Sequence, residues 1–140
     1  MIGGASGPAS LATNPVHLGL GALAMVEPAF AGGEWYAAYE ARHAADGIEG
    51  RLVTLFTFDA PWTSWEMHPA GDEVVICLAG AMTLHQEFPD GRVATVTLGV
   101  HDYAINPPGV WHTADVADEA TALFITAGAG TQVRDRSISA

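Results

Sequence analysis

The region from residue 51 to residue 127 is a succession of short, apolar-rich stretches, each ending at turn-forming residues. Residues 52–58 read Leu, Val, Thr, Leu, Phe, Thr, Phe. Seven comparable stretches follow at 62–68, 73–79, 82–87, 93–98, 103–106, 112–116 and 121–127. Pro, Gly, Asp or Asn separates them, as at 59–61, 89–91 and 107–109. Eight short strands at this spacing predict an all-β sandwich or barrel.

The chain outside this region has a different texture. Residues 1–14 are rich in Gly, Ala, Ser and Pro, which is typical of a loose arm. Residues 16–20 alternate weakly and favour a strand, whereas 34–45, rich in Ala and free of Gly and Pro, predicts a helix of about three turns. We therefore expect residues 1–49 to form an extension that packs on a barrel of residues 50–128 or on a dimer partner, and residues 129–140 to form a polar, frayed tail.

Charge and composition exclude several classes of partner. Sixteen acidic residues face five arginines and no lysine, giving a net charge of −11. This balance argues against nucleic acid and anionic membranes, whose phosphates are bound by Lys and Arg. The absence of lysine also excludes a Schiff-base lysine and a P-loop lysine.

Localisation follows from three further features. No run of about 18 apolar residues is present to span a bilayer. The apolar stretch 16–26 precedes Ala29-Phe30-Ala31, which resembles a signal cleavage site, but the first positive residue is Arg42, so a strand and turn are favoured over a secretory signal. The single cysteine, Cys77, cannot form an internal disulfide and fits a reducing compartment. We expect a cytoplasmic protein.

Two segments concentrate side chains that bind metal ions. Glu66 and His68 are two apart on a predicted strand and share a face. A turn at 69–72 reverses the chain, so Glu73 opens the next strand beside them. A Pro-Pro-Gly turn presents His112 at the start of another strand. If three or four of these groups converge inside a barrel, they form a site for Fe, Mn, Zn, Ni or Cu, which suit imidazole and carboxylate ligands.

The same segments resemble the two motifs of the cupin superfamily. The pattern Glu66-x-His68-x4-Glu73-x6-Gly80 is similar to the first motif, whose usual form is His-x-His, three or four residues, Glu, six residues, Gly. Residues 99–112 resemble the second motif, which ends in Pro-x-Gly-x-x-His. The resemblance implies a double-stranded β-helix, or jelly roll, with one metal in the barrel. With the extension, the expected fold is an all-β cupin barrel preceded by a strand and a short helix.

The resemblance covers about residues 62–115 and implies a ligand set. His68, Glu73 and His112 match the last three of the family's His, His, Glu and His ligands. Glu66 stands where the first His is expected. It could bind the metal as a carboxylate, act as a general base beside it, or hydrogen-bond elsewhere. A cupin that has lost its metal and kept its fold is the alternative for the whole set.

Two further residues are predicted to line a substrate pocket. Trp62 has the same strand parity as Glu66, and Cys77 lies four residues after Glu73 on the same face. The remaining histidines fall outside the motifs and are interpreted as packing, loop or surface residues: His17, His43, His85 and His101.

The resemblance implies a metal-dependent enzyme that acts on a small organic molecule. Dioxygenase, isomerase and lyase reactions all occur in similar proteins, and the sequence does not choose among them. The alternative is a non-catalytic cupin that binds or senses a small molecule. Small cupins form dimers, often by exchanging an N-terminal strand, so a homodimer is expected, with 16–26 as the exchanged segment.

Overall fold

Two antiparallel sheets make up most of the computed structural model, which describes residues 7–137. Within that range lie one α-helix, α1 (Gly33–Arg42), and eleven strands: β1 (Val16–Gly19), β2 (Leu23–Val26), β3 (Arg51–Phe58), β4 (Ser64–Met67), β5 (Glu73–Gly80), β6 (Met82–Glu87), β7 (Val93–Leu98), β8 (Tyr103–Asn106), β9 (Trp111–Asp115), β10 (Ala120–Thr126) and β11 (Gln132–Asp135). One sheet has the order β2-β1-β3-β10-β5-β8, and the other has the order β11-β4-β9-β6-β7. The predicted all-β jelly roll is confirmed.

The hydrophobic core lies between the two sheets. Alternate residues of β5 and β10 face alternate residues of β6 and β9, because successive side chains of a strand point to opposite faces. The cluster contains Val75, Cys77, Met82, Leu84, Leu98, Ala114, Val116, Ala120, Ala122 and Phe124. No helix within residues 7–137 is long and apolar enough to cross a membrane.

The N-terminal extension contributes two strands rather than the one expected. Strands β1 and β2 form a hairpin, and β1 pairs with β3 of its own chain. The second strand was not predicted because Leu23-Ala24-Met25-Val26 is apolar throughout and lacks the alternation of a half-buried strand. The strand exchange and the homodimer stay predictions.

The C-terminal tail was expected to be frayed, but part of it forms β11, which pairs with β4. The guanidinium of Arg134 lies 5.0 Å from the ring centre of Trp65 and 4.7 Å from that of Trp111. It also bonds to Glu87 at 2.9 Å. Cation–π contacts and an ion pair therefore hold a segment whose polarity alone suggested a tail.

A buried histidine anchors helix α1 to the hairpin. The ring nitrogens of His17 contact the Tyr39 hydroxyl at 2.6 Å and the Asp46 carboxylate at 2.5 Å. The ring of His43 stacks on His17 with 3.6 Å between centroids. A second polar contact joins the same elements, because buried Glu27 accepts from Arg42 at 2.8 Å and contacts His43 at 2.9 Å.

We expect His17→Ala to lower the free energy of unfolding by about 2–4 kcal/mol, since it removes a packed ring and leaves two polar partners unpaired. His85→Ala is the control, because His85 is only half-buried and its ion pair with Asp115 is partly exposed; its cost should be about 0–1 kcal/mol. Urea denaturation measures both. Equal losses would contradict the anchoring role of His17.

Candidate metal centre

The four residues singled out by the motifs come together from both sheets. Glu66 on β4 stands opposite His112 on β9 in one sheet. Glu73, the first residue of β5, belongs to the other sheet. His68 follows β4 directly and is buried. We call these four side chains the centre.

Glu73 lies between the two imidazoles. Its Oε2 is 3.2 Å from Nε2 of His68, and its Oε1 is 3.1 Å from Nε2 of His112. The ring centroids of the two histidines are 5.0 Å apart. One donor atom each of Glu66, His68 and His112 lies within 4.8 Å of the others. Ligand atoms that share one ion at about 2.1 Å are at most about 4.2 Å apart, so small side-chain shifts suffice to close this group on an ion.

Two neighbours that the sequence reasoning missed fix the Glu73 carboxylate. Asn106 donates from Nδ2 to Oε1 at 3.0 Å, and Thr126 donates from Oγ1 to Oε2 at 2.6 Å. Both residues stand directly opposite Glu73 in the sheet, on β8 and β10. Gln86 in turn donates to the Asn106 side-chain oxygen at 2.8 Å. These contacts hold Glu73 as an acceptor-only carboxylate.

The hydrogen bonds of Thr131 set the tautomer of His68. The Thr131 hydroxyl donates its one proton to the Gly128 carbonyl at 2.8 Å, so it accepts from Nδ1 of His68 at 2.8 Å. The neutral imidazole then carries a lone pair on Nε2. This buried nitrogen makes no hydrogen bond within residues 7–137. A lone pair that faces a carboxylate is unfavourable unless a proton or a metal ion joins them, so the donor set fits a cation.

The two carboxylates of the centre differ in proton affinity. Burial raises the pKa of Glu66, and the charge of Glu73 raises it further, although His112 and His68 partly oppose this. Burial also acts to raise the pKa of Glu73, but the imidazoles of His112 and His68 outweigh it and bring that pKa well below its usual range. Glu73 is therefore the charged group, and Glu66 is the one that takes a proton first.

The pKa of His68 is shifted by the same neighbouring carboxylates. Burial by itself would lower the pKa, but the neighbouring Glu73 carboxylate and the Glu66 charge raise it above the usual value for histidine. Without a metal ion, the centre thus retains protons in place of a cation.

A cavity of about 750 Å³ opens beside the centre. Glu66, His68 and Glu73 form part of its wall, and Trp62 lies there as well. Helix α1 forms another part through Tyr36 and Glu40. Trp35 and Tyr39 of the same helix are buried and pack with Leu52 of β3. The contribution of Tyr36 to the cavity was missed.

Cys77 does not line this cavity, and the prediction that it would was wrong. Its side chain is fully buried in the core cluster, and its Sγ lies 3.5 Å from the Ala79 carbonyl and 3.7 Å from that of Gly80. Strand parity correctly places Cys77 on the face of Glu73, but it does not give depth. From Val75 onward, that face of β5 packs into the hydrophobic core.

The other histidines lie apart from the centre. His17 and His43 form a second group of potential ligands with Asp46, but both ring nitrogens of His17 already have partners. His85 pairs with Asp115 at 2.7 Å. His101 is exposed in the loop before β8. Their placement agrees with packing, surface and loop roles.

Solved structures share this architecture. Oxalate decarboxylase from Bacillus subtilis superposes with a TM-score of 0.53 at 15% identity, over 69% of this chain and 26% of that one. An oxalate oxidase gives a TM-score of 0.52 at 11% identity, over 61% of this chain and 45% of that one. A cupin-2 domain-containing protein from Shewanella frigidimarina gives 0.44 at 26% identity, over 54% and 69%.

No protein-family model and no curated protein matches the sequence. The chain spans less than half the length of the two oxalate enzymes, so the likeness to them is one of fold. The chain therefore has the fold of the cupin superfamily.

Proposed function

We propose that the centre binds one divalent transition metal ion and that the chain acts through it on a small organic molecule in the adjoining cavity. The observation that carries this proposal is the buried Nε2 of His68, which makes no hydrogen bond among the described residues and lies 3.2 Å from the Glu73 carboxylate. Imidazole and carboxylate ligands suit Fe, Mn, Zn, Ni or Cu. The proposed ligands are His68, Glu73, His112 and Glu66. Among proteins with this fold, the oxalate decarboxylase of Bacillus subtilis has Mn(II) centres.

Such an ion, when bound, supplies Lewis-acid activation of a substrate. The chain's own residues prepare the site. Thr131 directs the Nε2 lone pair of His68 into the centre, and Asn106 and Thr126 keep Glu73 in place. If Glu66 does not bind the ion, its raised pKa and its position in the cavity wall let it hold or release a proton at its carboxyl beside a bound molecule. Dioxygenase, isomerase and lyase chemistry are all compatible with this set.

A non-catalytic binding role is the second candidate. Most of the residues that line the cavity take no part in the centre, so they could bind an organic molecule by themselves, and this favours a binding role. Such a protein would hold an organic molecule with or without an ion. Turnover of any bound compound by the metal-loaded chain would exclude this role.

Elemental analysis of the protein purified without chelator tests the proposal directly. We expect about one divalent transition metal ion per chain. Calorimetric titration of the metal-free chain should then show a single site for the same ion. A chain that neither carries an ion nor binds one in the titration would be a cupin that has lost its metal.

The role of Glu66 is tested by Glu66→Gln. If Glu66 is the fourth ligand, the substitution should weaken metal affinity by at least about 10-fold, since a neutral amide replaces a charged ligand and loss of a supporting residue alone costs about 10–100-fold. Glu40→Gln is the matched control, because Glu40 also lines the cavity but lies on α1, outside the group of donors. Unchanged affinity in Glu66→Gln, with loss of turnover alone, would assign Glu66 as a general base instead.

A further inference from the structure

We propose that the cavity selects an uncharged aromatic molecule that carries a hydroxyl or carbonyl group, and that it discriminates against carboxylate anions. This inference deepens the proposed function and rests on it, since the ligand would occupy the same site. It is drawn from the aromatic wall, from the distribution of charge around the cavity, and from one hydroxyl on helix α1.

The wall of the cavity is a connected set of aromatic rings. Phe56 on β3 packs against Phe30, Phe58 and Phe124 with centroid distances of 5.7, 6.2 and 6.1 Å. Trp62 continues the set, 5.3 Å from Phe58. All four pairs are tilted or edge-to-face, the arrangements that aromatic rings prefer over a face-to-face sandwich.

The aromatic set leads to the centre. The ring of Trp62 lies 6.3 Å from that of His112. At the other end, Phe30 packs on Tyr36 of helix α1 with 5.4 Å between centroids. The aromatic wall therefore extends from His112 of the centre to Tyr36 of helix α1.

The charges around the cavity disfavour an anion. Its wall contains the carboxyl groups of Glu40, Glu66 and Glu73, and none of the five arginines, all of which fall within residues 7–137, lines it. A divalent ion would balance the two carboxylates of the centre, and Glu40, which is exposed to solvent, adds only a screened repulsion. A carboxylate that enters loses its hydration and gains no cationic side chain in return. A neutral ring loses little hydration and buries its apolar surface.

A cationic ligand is also disfavoured. A divalent ion would by itself balance Glu66 and Glu73, so only Glu40 is left to attract a cation, and its exposure to solvent screens that attraction. Four of the six aromatic residues in the set are Phe, whereas Trp binds cations best.

The Tyr36 hydroxyl supplies the polar contact. Tyr36 lines the cavity, and burial, followed by the charges of Glu66 and Glu73, raises its pKa to about 12. The hydroxyl therefore keeps its proton near neutral pH and donates a hydrogen bond. Tyr36 is 43% exposed, and a phenol or an aromatic ketone in the cavity offers its hydroxyl an acceptor oxygen in place of water.

The test compares phenol, benzoate and benzylamine, which share a ring and differ in charge. Binding is followed by quenching of tryptophan fluorescence and by calorimetry, on the protein as purified and after removal of the ion. We expect phenol to bind at least about 10-fold more tightly than benzoate or benzylamine in both states, an advantage of about 1.4 kcal/mol. Tighter binding of benzoate or of benzylamine would overturn the inference.

Two substitutions separate the wall from the hydroxyl. Phe56→Leu should weaken phenol binding several-fold while it preserves an apolar side chain and the fold. Tyr36→Phe should weaken phenol binding but leave toluene binding unchanged. Tyr103→Phe is the control, since Tyr103 is 64% exposed on β8, away from the cavity. Phenol affinity that is insensitive to both substitutions would also overturn the inference.

The outcomes distinguish this inference from the proposed function. A chain that carries an ion but prefers benzoate would contradict only the inference. A chain that prefers phenol but binds no ion would contradict only the metal-dependent function.

Discussion

Replacing His68 or His112 by alanine is expected to abolish stoichiometric metal binding. Each substitution removes an imidazole nitrogen that lies within 3.2 Å of a Glu73 carboxylate oxygen. Loss of a direct ligand should exceed the about 10–100-fold loss of affinity that follows removal of a supporting residue. Elemental analysis of the purified variants, together with titration of the metal-free proteins, measures the effect.

His85→Ala is the matched control for this experiment. His85 is also a strand histidine with a carboxylate partner, Asp115 at 2.7 Å, but it lies outside the centre. It should retain the metal content of the unsubstituted chain, and circular dichroism should show all three variants folded. Equal metal content in the three variants would contradict the ligand assignment.

Gly80→Ala is expected to cause the largest loss of stability among single substitutions in the barrel. Gly80 has φ +70°, and an added Cβ would lie 2.0 Å from the carbonyl oxygen of Glu119. That oxygen belongs to the backbone just before β10, so relief of the clash requires the two strands to move apart. We expect a loss of about 3–5 kcal/mol in the free energy of unfolding, or failure to fold.

Gly91→Ala isolates the contribution of the backbone angle. Gly91 has φ +88°, but a Cβ there would meet no heavy atom within 4 Å. It should cost only about 1–2 kcal/mol, the cost of left-handed backbone for a residue with a side chain. Urea midpoints of the two variants measure the difference. Equal losses would show that the clash between the added Cβ and the Glu119 carbonyl oxygen does not lower the free energy of unfolding.

Gly80 also illustrates why a local sequence pattern can predict this fold. The glycine of the first motif is required by one close contact between β5 and the segment before β10. Similarly, the spacing of Glu66 and His68 places both on one side of β4 and its continuation, because a strand alternates its faces. Period and turn residues are local properties, so eight of the nine strands from residue 51 onward, β3 to β10, were predicted with differences only at their ends.

The supporting residues of the centre could not be predicted in this way. Asn106 and Thr126 hold Glu73 because β8 and β10 are the neighbours of β5 in the sheet. Strand order depends on which distant segments pair, and no local pattern encodes it. Thr131 was missed for the same reason, since its segment was expected to be a frayed tail.

The sequence by itself determined the all-β class, the two motifs and the four residues of the centre, because strand period and turn chemistry act over a few residues. Tertiary structure alone decided which residues surround them: it buried Cys77 in the core and brought Tyr36 from helix α1 to the cavity wall. The physical reason is that a strand's alternation assigns a side chain to a face, whereas its depth and its neighbours depend on how the sheets and the helix pack together.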